Sequence, residues 1–400
     1  MQSSAELSFA AVHQLCSRLG LTPCGVISAN SDPAAKNRYE AWIEAGMHGS
    51  MSFLERHAPS KTDPTSLLSG CRSVLLVALG YYQTPGSSWI GEKERRQAVS
   101  NHEVDIKTRE TVSVIKRDGL KDNHCNRENS GSADGVPAID GLSGRISQYA
   151  WGRDYHKVLR SRLRALSKKL SESFPKEKFV SGVDATPLLE THFAVKAGIG
   201  FRGKHTLVIN KEHGSWFFIG ELLTTLSISG GPKQSSKRCG TGCSYCIDVC
   251  PTKAIVEPYK IDARLCISYL TIEHRGPIPE ELRPAIGNWL FGCDLCQEVC
   301  PWTVRAQATV EPDLLNWRAG SSQDLEPLLE LRTHKDLTAR FAGSPLMRAG
   351  RDRLVRNACT VAGNSRAVSL LPQLKRLIGD SDAGVSDHAR WAVEQIGALN

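Results

Sequence analysis

The chain has 400 residues, of which 40% are hydrophobic and 23% charged, with a net charge of +8 and a pI near 8.8. That length predicts two or three domains. No apolar run reaches the roughly 18 residues a membrane span needs, and Met1–Gly20 lacks a basic n-region and an unbroken apolar core, so a cytoplasmic, membrane-free protein is expected. The mild positive excess admits a polyanionic partner without establishing one.

In chain order, Ala5–Leu19 has helical apolar spacing closed by Gly20, Val26–Ser28 is a short strand, and Glu40–Glu44 is helical. The continuous apolar run Ser73–Tyr82 predicts a strand buried on both faces. From about Pro85 to Ser143 the sequence turns polar, with mixed charge and no sustained period, and reads as an insertion or loop without a core of its own. Between Arg153 and Lys178 nine lysines and arginines accompany Leu159, Leu163, Leu166 and Leu170 at helical spacing. This predicts an amphipathic helix with a basic outer face. A second basic cluster is Arg348, Arg351, Arg353 and Arg356. Two such faces favour contact with a phosphate backbone over mere solvation. Phe179–Gly220 holds further strand-like runs. Asp324–Leu337, Arg351–Ala362, Ala367–Ile378 and Asp387–Leu399 read as helices, the last three as a degenerate HEAT-type stack.

Eight of the thirteen cysteines fall between Cys239 and Cys300. Each half of that stretch ends in Cys-x3-Cys-Pro, the ending of bacterial ferredoxin runs, in which the last cysteine ligates the other cluster. The pattern predicts two 4Fe–4S clusters, one on Cys239, Cys243, Cys246 and Cys300, the other on Cys250, Cys266, Cys293 and Cys296. A disulfide framework would need an oxidising compartment, and structural zinc does not require the Cys-Pro endings. Cys239-x3-Cys243 is one residue longer than the usual spacing, and Gly240 and Gly242 are candidates for closing the longer loop. Cys16, Cys24, Cys71, Cys125 and Cys359 are expected as buried small hydrophobes.

ISQYAWGRDYHKVLR (Ile146–Arg160), VDATPLLE (Val183–Glu190), GIGFRGKHTLVIN (Gly198–Asn210), GSWFFIGELLT (Gly214–Thr224) and Cys266–Trp302 together resemble the epoxyqueuosine reductase family. That family is related to reductive dehalogenases. The resemblance covers most of the chain outside the insertion. It implies reduction of an epoxide to the cyclopentene of queuosine at the wobble position of tRNA. The cofactors implied are cobalamin, attacking as cob(I)alamin, and two clusters relaying electrons from an unidentified donor. No side chain is a competent reductant, so the hard chemistry belongs to a cofactor, and the opened alkoxide needs a general acid.

Asp184 matches the family's catalytic aspartate. Its apolar surroundings predict a raised pKa and a protonated donor, while its place ahead of Pro187 also suits a helix N-cap. By resemblance Ser147, Lys204, His205, Thr206, Ser268 and Glu273 line the corrin site together with Asp184. No cobalt-ligating Asp-x-His-x-x-Gly motif is present, so His205 is assigned a hydrogen-bonding or surface role.

The expected architecture is an α/β cobalamin-binding core over 1–236, a two-cluster ferredoxin-like module over 237–305, and a HEAT-like α-helical domain over 306–400 presenting the tRNA anticodon arm, all in a monomer. The rivals are a ferredoxin-type electron-transfer protein and a corrinoid reductive dehalogenase.

Overall fold

The structure, a computed structural model, describes residues 6–84, 142–184, 187–303 and 306–397. The insertion expected over 85–143 lies outside the described residues up to 141, and Ser143 already begins a strand. The chain divides near Tyr82 and Asp140, and the sheet, the cysteine module and the C-terminal helices belong to one compact unit.

The core is a four-stranded sheet in the order Cys24–Ser28, Ser73–Gly80, Phe217–Thr224, Phe179–Gly182, with every pairing antiparallel. All eight residues of Ser73–Gly80 are buried. Because side chains alternate along a strand, Leu75, Val77 and Leu79 face one layer while Val74, Leu76 and Ala78 face the other. The first layer is the helix Tyr155–Ser173, whose Leu159, Leu163, Leu166 and Leu170 are buried as their spacing predicts. The helix Glu190–Lys196 covers the opposite face with Phe193 and Ala194. A strand buried on both sides does not therefore require a parallel sheet; two helical layers are enough. Cys16, Cys24, Cys71 and Cys359 are buried as expected, and Cys125 lies outside the described residues.

Three local expectations change. The first helix is Phe9–Arg18, because Glu6–Ser8 is claimed as a strand by Ser227–Ser229; Gly20, at φ 63°, does close it. Asp324–Leu337 is two helices, Leu325–Leu329 and His334–Phe341. The second starts at a reciprocal capping box between Thr333 and Asp336, which satisfies free N–H groups and fixes a new helix start.

The third is the Arg348–Arg356 cluster, which is no solvated basic face. Arg351 binds Asp380 and the Leu331 carbonyl. Arg356, only 1% exposed, donates to the carbonyls of Leu270, His274 and Gly276. Arg356 clamps the helix Gly350–Asn364 to the segment that follows Cys266, while Arg351 ties that helix to Leu331 and to Asp380, between the helices Leu371–Leu377 and Ala383–Gly397. Asn357 strengthens the joint by donating to the Thr271 and Leu290 carbonyls.

Candidate active site and cluster-ligating cysteines

Each cysteine run folds as a loop entering a one-turn helix, Tyr245–Asp248 in the first and Leu295–Glu298 in the second. Cys239, Cys243, Cys246 and Cys300 line a cavity of about 170 Å³ with Lys204, His205, Tyr245, Pro301 and Trp302. Burial pushes the Cys246 thiol up to about 11, and the neighbouring Cys239, Cys243 and Cys300 add to the rise. In the second set burial raises Cys293 and Cys296, and each also feels Cys266. Cys293 feels Cys250 as well. Cys300 thus stands with the first run and Cys250 with the second. Among the described residues no three cysteine, histidine or carboxylate side chains form a ligand set for a single metal ion. Four thiols around a shared cavity suit a cluster instead. The Ala254 N–H donates to Cys250 Sγ at 3.3 Å, a bond of the kind that stabilises ligating thiolates.

Lys204 and His205 serve the first run. Lys204 Nζ donates to the carbonyls of Gly240 and Thr241 (3.0 Å each) and Cys243 (2.6 Å), so its three protons are spent on the cysteine loop. This closes the longer Cys239–Cys243 spacing; Gly240 and Gly242 have room for a Cβ and no left-handed φ. His205 is 3% exposed, which rules out the surface role. Burial pulls its pKa down to about 4, so the ring is neutral.

Asp184 sits in a loop at φ 51°, a conformation rare outside glycine. The hydroxyl of Tyr155 donates to Asp184 Oδ2, and His156 Nε2 stands 3.3 Å from the same oxygen. His156 Nδ1 lies 2.8 Å from Asp154 Oδ1, and Asp154 also caps the long helix by accepting from the His156 N–H. The imidazole is therefore held between two carboxylates. Burial alone would lower its pKa, but those partners push it up to about 9. Burial alone would raise the Asp184 pKa, but His156 and Tyr155 outweigh it and hold the acid below its ordinary value. The protonated Asp184 expected from its apolar neighbours is thus corrected: at neutral pH the proton rests on His156. The N-cap alternative also fails, because Leu189 occupies that position for Glu190–Lys196 and Asp184 instead donates its own N–H to Glu190 Oε1 at 2.7 Å.

Of the other expected residues, Ser147 is buried and donates to Asp294 Oδ1 at 2.5 Å. Thr206, at φ 74°, lines a separate cavity of about 560 Å³ with Tyr39, Trp42, His192 and Arg202. Ser268 and Glu273 share the short helix Ile267–Ile272, whose N-cap is Cys266 and whose C-cap is Glu273. Glu273 pairs with Arg348 at 3.1 Å, and Arg348 in turn faces Asp184, Tyr155 and Tyr149. The structure thus joins Glu273 to Asp184 and sets Lys204, His205 and Ser147 against the cysteine module. Sequence reasoning missed Tyr155, His156 and Arg348. The first two lay in a quoted motif, but the loop partner that gives them meaning is distant in the chain.

Residues 238–303 match a family described as a 4Fe-4S double cluster binding domain, and residues 123–185 match one described as Epoxyqueuosine reductase QueG, DUF1730. The chain is 35% identical over 359 residues to the epoxyqueuosine reductase of Pseudomonas aeruginosa, covering 90% of this chain and 86% of that one. With the Xanthomonas campestris enzyme it is 34% identical over 393 residues, 97% and 96% of the two chains. A crystal structure of epoxyqueuosine reductase with an epoxyqueuosine-modified tRNA stem loop superposes with a TM-score of 0.77 at 25% identity, covering 97% of this chain and 90% of that one. A crossed pair of cysteine sets, a loop aspartate bound by a charged histidine and identity sustained across nearly the whole chain place it in the epoxyqueuosine reductase family.

Proposed function

We propose that this chain reduces epoxyqueuosine to queuosine in tRNA, with electrons passing through two 4Fe–4S clusters to cobalamin and a proton delivered through Asp184. The observation that carries this reading is the helix Ile267–Ile272. It begins at the cluster cysteine Cys266 and ends at Glu273, which reaches Asp184 through Arg348. At 1.5 Å per residue this six-residue helix sets the cluster cysteine and Glu273 on the order of 10 Å apart, and Arg348 bridges the remaining gap to Asp184.

The residues around Asp184 fit cobalamin in their donor chemistry. The Asp184 side chain is 34% exposed, and the Glu273 carboxylate and Arg348 guanidinium lie beside it. Ser268, half-buried on the same helix, adds a hydroxyl. Corrin carries peripheral amides, which such groups can bind. Bound there, cobalamin would supply a low-valent cobalt nucleophile for cleaving a carbon–oxygen bond.

Reduction of the epoxide to the alkene and water consumes two electrons and two protons. One of the two protons passes through this site: the Nε2–H bond of His156 breaks as Oδ2–H forms on Asp184, and Asp184 passes that proton to the alkoxide oxygen. The departing hydroxide takes the second proton from solvent to become water. Arg348 and the Tyr155 hydroxyl hold the carboxylate in place between transfers.

The tRNA partner is supported by the stem loop bound in the related crystal structure. The exposed Lys157, Arg164, Lys168 and Lys169 of Tyr155–Ser173 offer it a phosphate-binding face. We assign residues 1–236 to the cobalamin-binding core, 237–305 to the cluster module and 306–400 to a HEAT-like domain, acting as a cytoplasmic monomer. No helix among the described residues is long and apolar enough to cross a membrane. A visible spectrum of protein reconstituted with iron, sulfide and cobalamin tests the reading: stoichiometric corrin bands that co-purify support it, and cluster bands alone would return the chain to simple electron transfer.

A further inference from the structure

We infer that His205 is a positioning residue of the first cluster, its Nε2–H donating a hydrogen bond to a sulfur of the group held by Cys239, Cys243, Cys246 and Cys300. This rests on reading that cavity as a cluster site. The Leu207 N–H points at His205 Nδ1 over 3.2 Å, so Nδ1 is an acceptor and the ring proton is on Nε2. Nε2 is buried and has no hydrogen-bond partner among the described residues. A buried N–H without a partner is costly and rare in folded proteins. The ring borders the cavity of about 170 Å³ that the four cysteines line.

The surroundings hold the imidazole there. A Cβ on Gly203 would come within 2.7 Å of Cε1 and 3.1 Å of Nε2, so the ring occupies space only a glycine leaves open. Thr206, in the left-handed region, turns the chain straight after it. The adjacent Lys204 grips the carbonyls of Gly240, Thr241 and Cys243 and fixes the cysteine loop beside the ring. Hydrogen bonds to cluster sulfurs stabilise the more negative, reduced state and so raise its potential. His205 therefore eases electron entry into the first cluster and leaves the second unaffected.

The test is an EPR-monitored redox titration of the full chain carrying both clusters. His205→Leu should move the first cluster's midpoint to a more negative potential at unchanged iron content, with the second cluster unmoved. His205→Gln, which keeps an N–H donor, should lie between Leu and wild type. Equal potentials in all three proteins would overturn the inference. Should His205→Leu fail to hold the cluster, the wild type labelled with 15N-histidine decides: pulsed EPR of the reduced first cluster should show a weakly coupled histidine nitrogen, and its absence would overturn the inference. Wild-type protein that takes up no cluster would instead remove the reading of the cavity itself.

Discussion

The Asp184 pocket and the first cysteine cavity treat a histidine in opposite ways. His156, its side chain 20% exposed, lies between Asp154 and Asp184 and is charged, with its pKa pushed up to about 9. His205, 3% exposed and with no described carboxylate acting on its pKa, is neutral, that pKa pulled down to about 4 by burial. A proton site must reach solvent and hold a charge that can leave. An electron site gains from exclusion of water and needs only a fixed dipole beside the sulfurs. The same side chain is turned to either use by the carboxylates within its reach.

The comparison breaks most visibly at the cysteines. Cys266→Ser should remove about four of about eight irons and leave the other cluster's spectrum intact; iron analysis that still finds about eight would refute the crossed assignment. Next in size is Asp184→Asn. It keeps the shape and most hydrogen bonds but no titrating proton, so single-turnover reduction should fall by roughly 10²–10⁴-fold. Cluster content should be unchanged, because none of the cysteines depends on this carboxylate. His156→Gln should cost about 10²-fold, the lower end of the same range, since Asp184 can still draw protons slowly from water.

The pH dependence sharpens the contrast. His156 is protonated through neutrality, so the wild-type rate should stay level up to about pH 9 and decline above it. Stability follows the same sign: the contribution of His156 is complete below its unfolded pKa of about 6.5 and is lost as pH rises through the folded value. Asp154→Asn should bring the decline to lower pH, as would show in a stopped-flow profile; an unshifted profile would exclude His156 as the titrating group. The smallest effect belongs to the basic helix. Lys168→Ala with Lys169→Ala should lower the salt slope of stem-loop binding by about one per residue, measured by fluorescence anisotropy across a salt series.

Much of this was legible in the sequence because the signals are local. The leucines of Tyr155–Ser173 report a helix by period alone, and the Cys-Pro endings announce the crossing of cysteines between sets. What was hidden depends on distant partners. Glu6–Ser8 is a strand only because Ser227–Ser229 lies beside it. Arg356 reads as a surface charge until the carbonyls of Leu270, His274 and Gly276 close around it. Asp184 shows the same limit at the site. Its apolar neighbours in sequence predict an acid kept neutral, whereas Tyr155 and His156, 29 and 28 positions earlier, reverse the sign. Lys204 and His205 matched a family motif, yet the motif could not say which cofactor they face.

The most direct test of the account is mass spectrometry of an epoxyqueuosine-bearing anticodon stem loop after one turnover with the reconstituted protein and excess chemical reductant. The account predicts loss of one oxygen atom, giving queuosine, when both clusters and cobalamin are bound, and no conversion when cobalamin is left out. Conversion without cobalamin, or an unchanged substrate with the fully loaded protein, would contradict it.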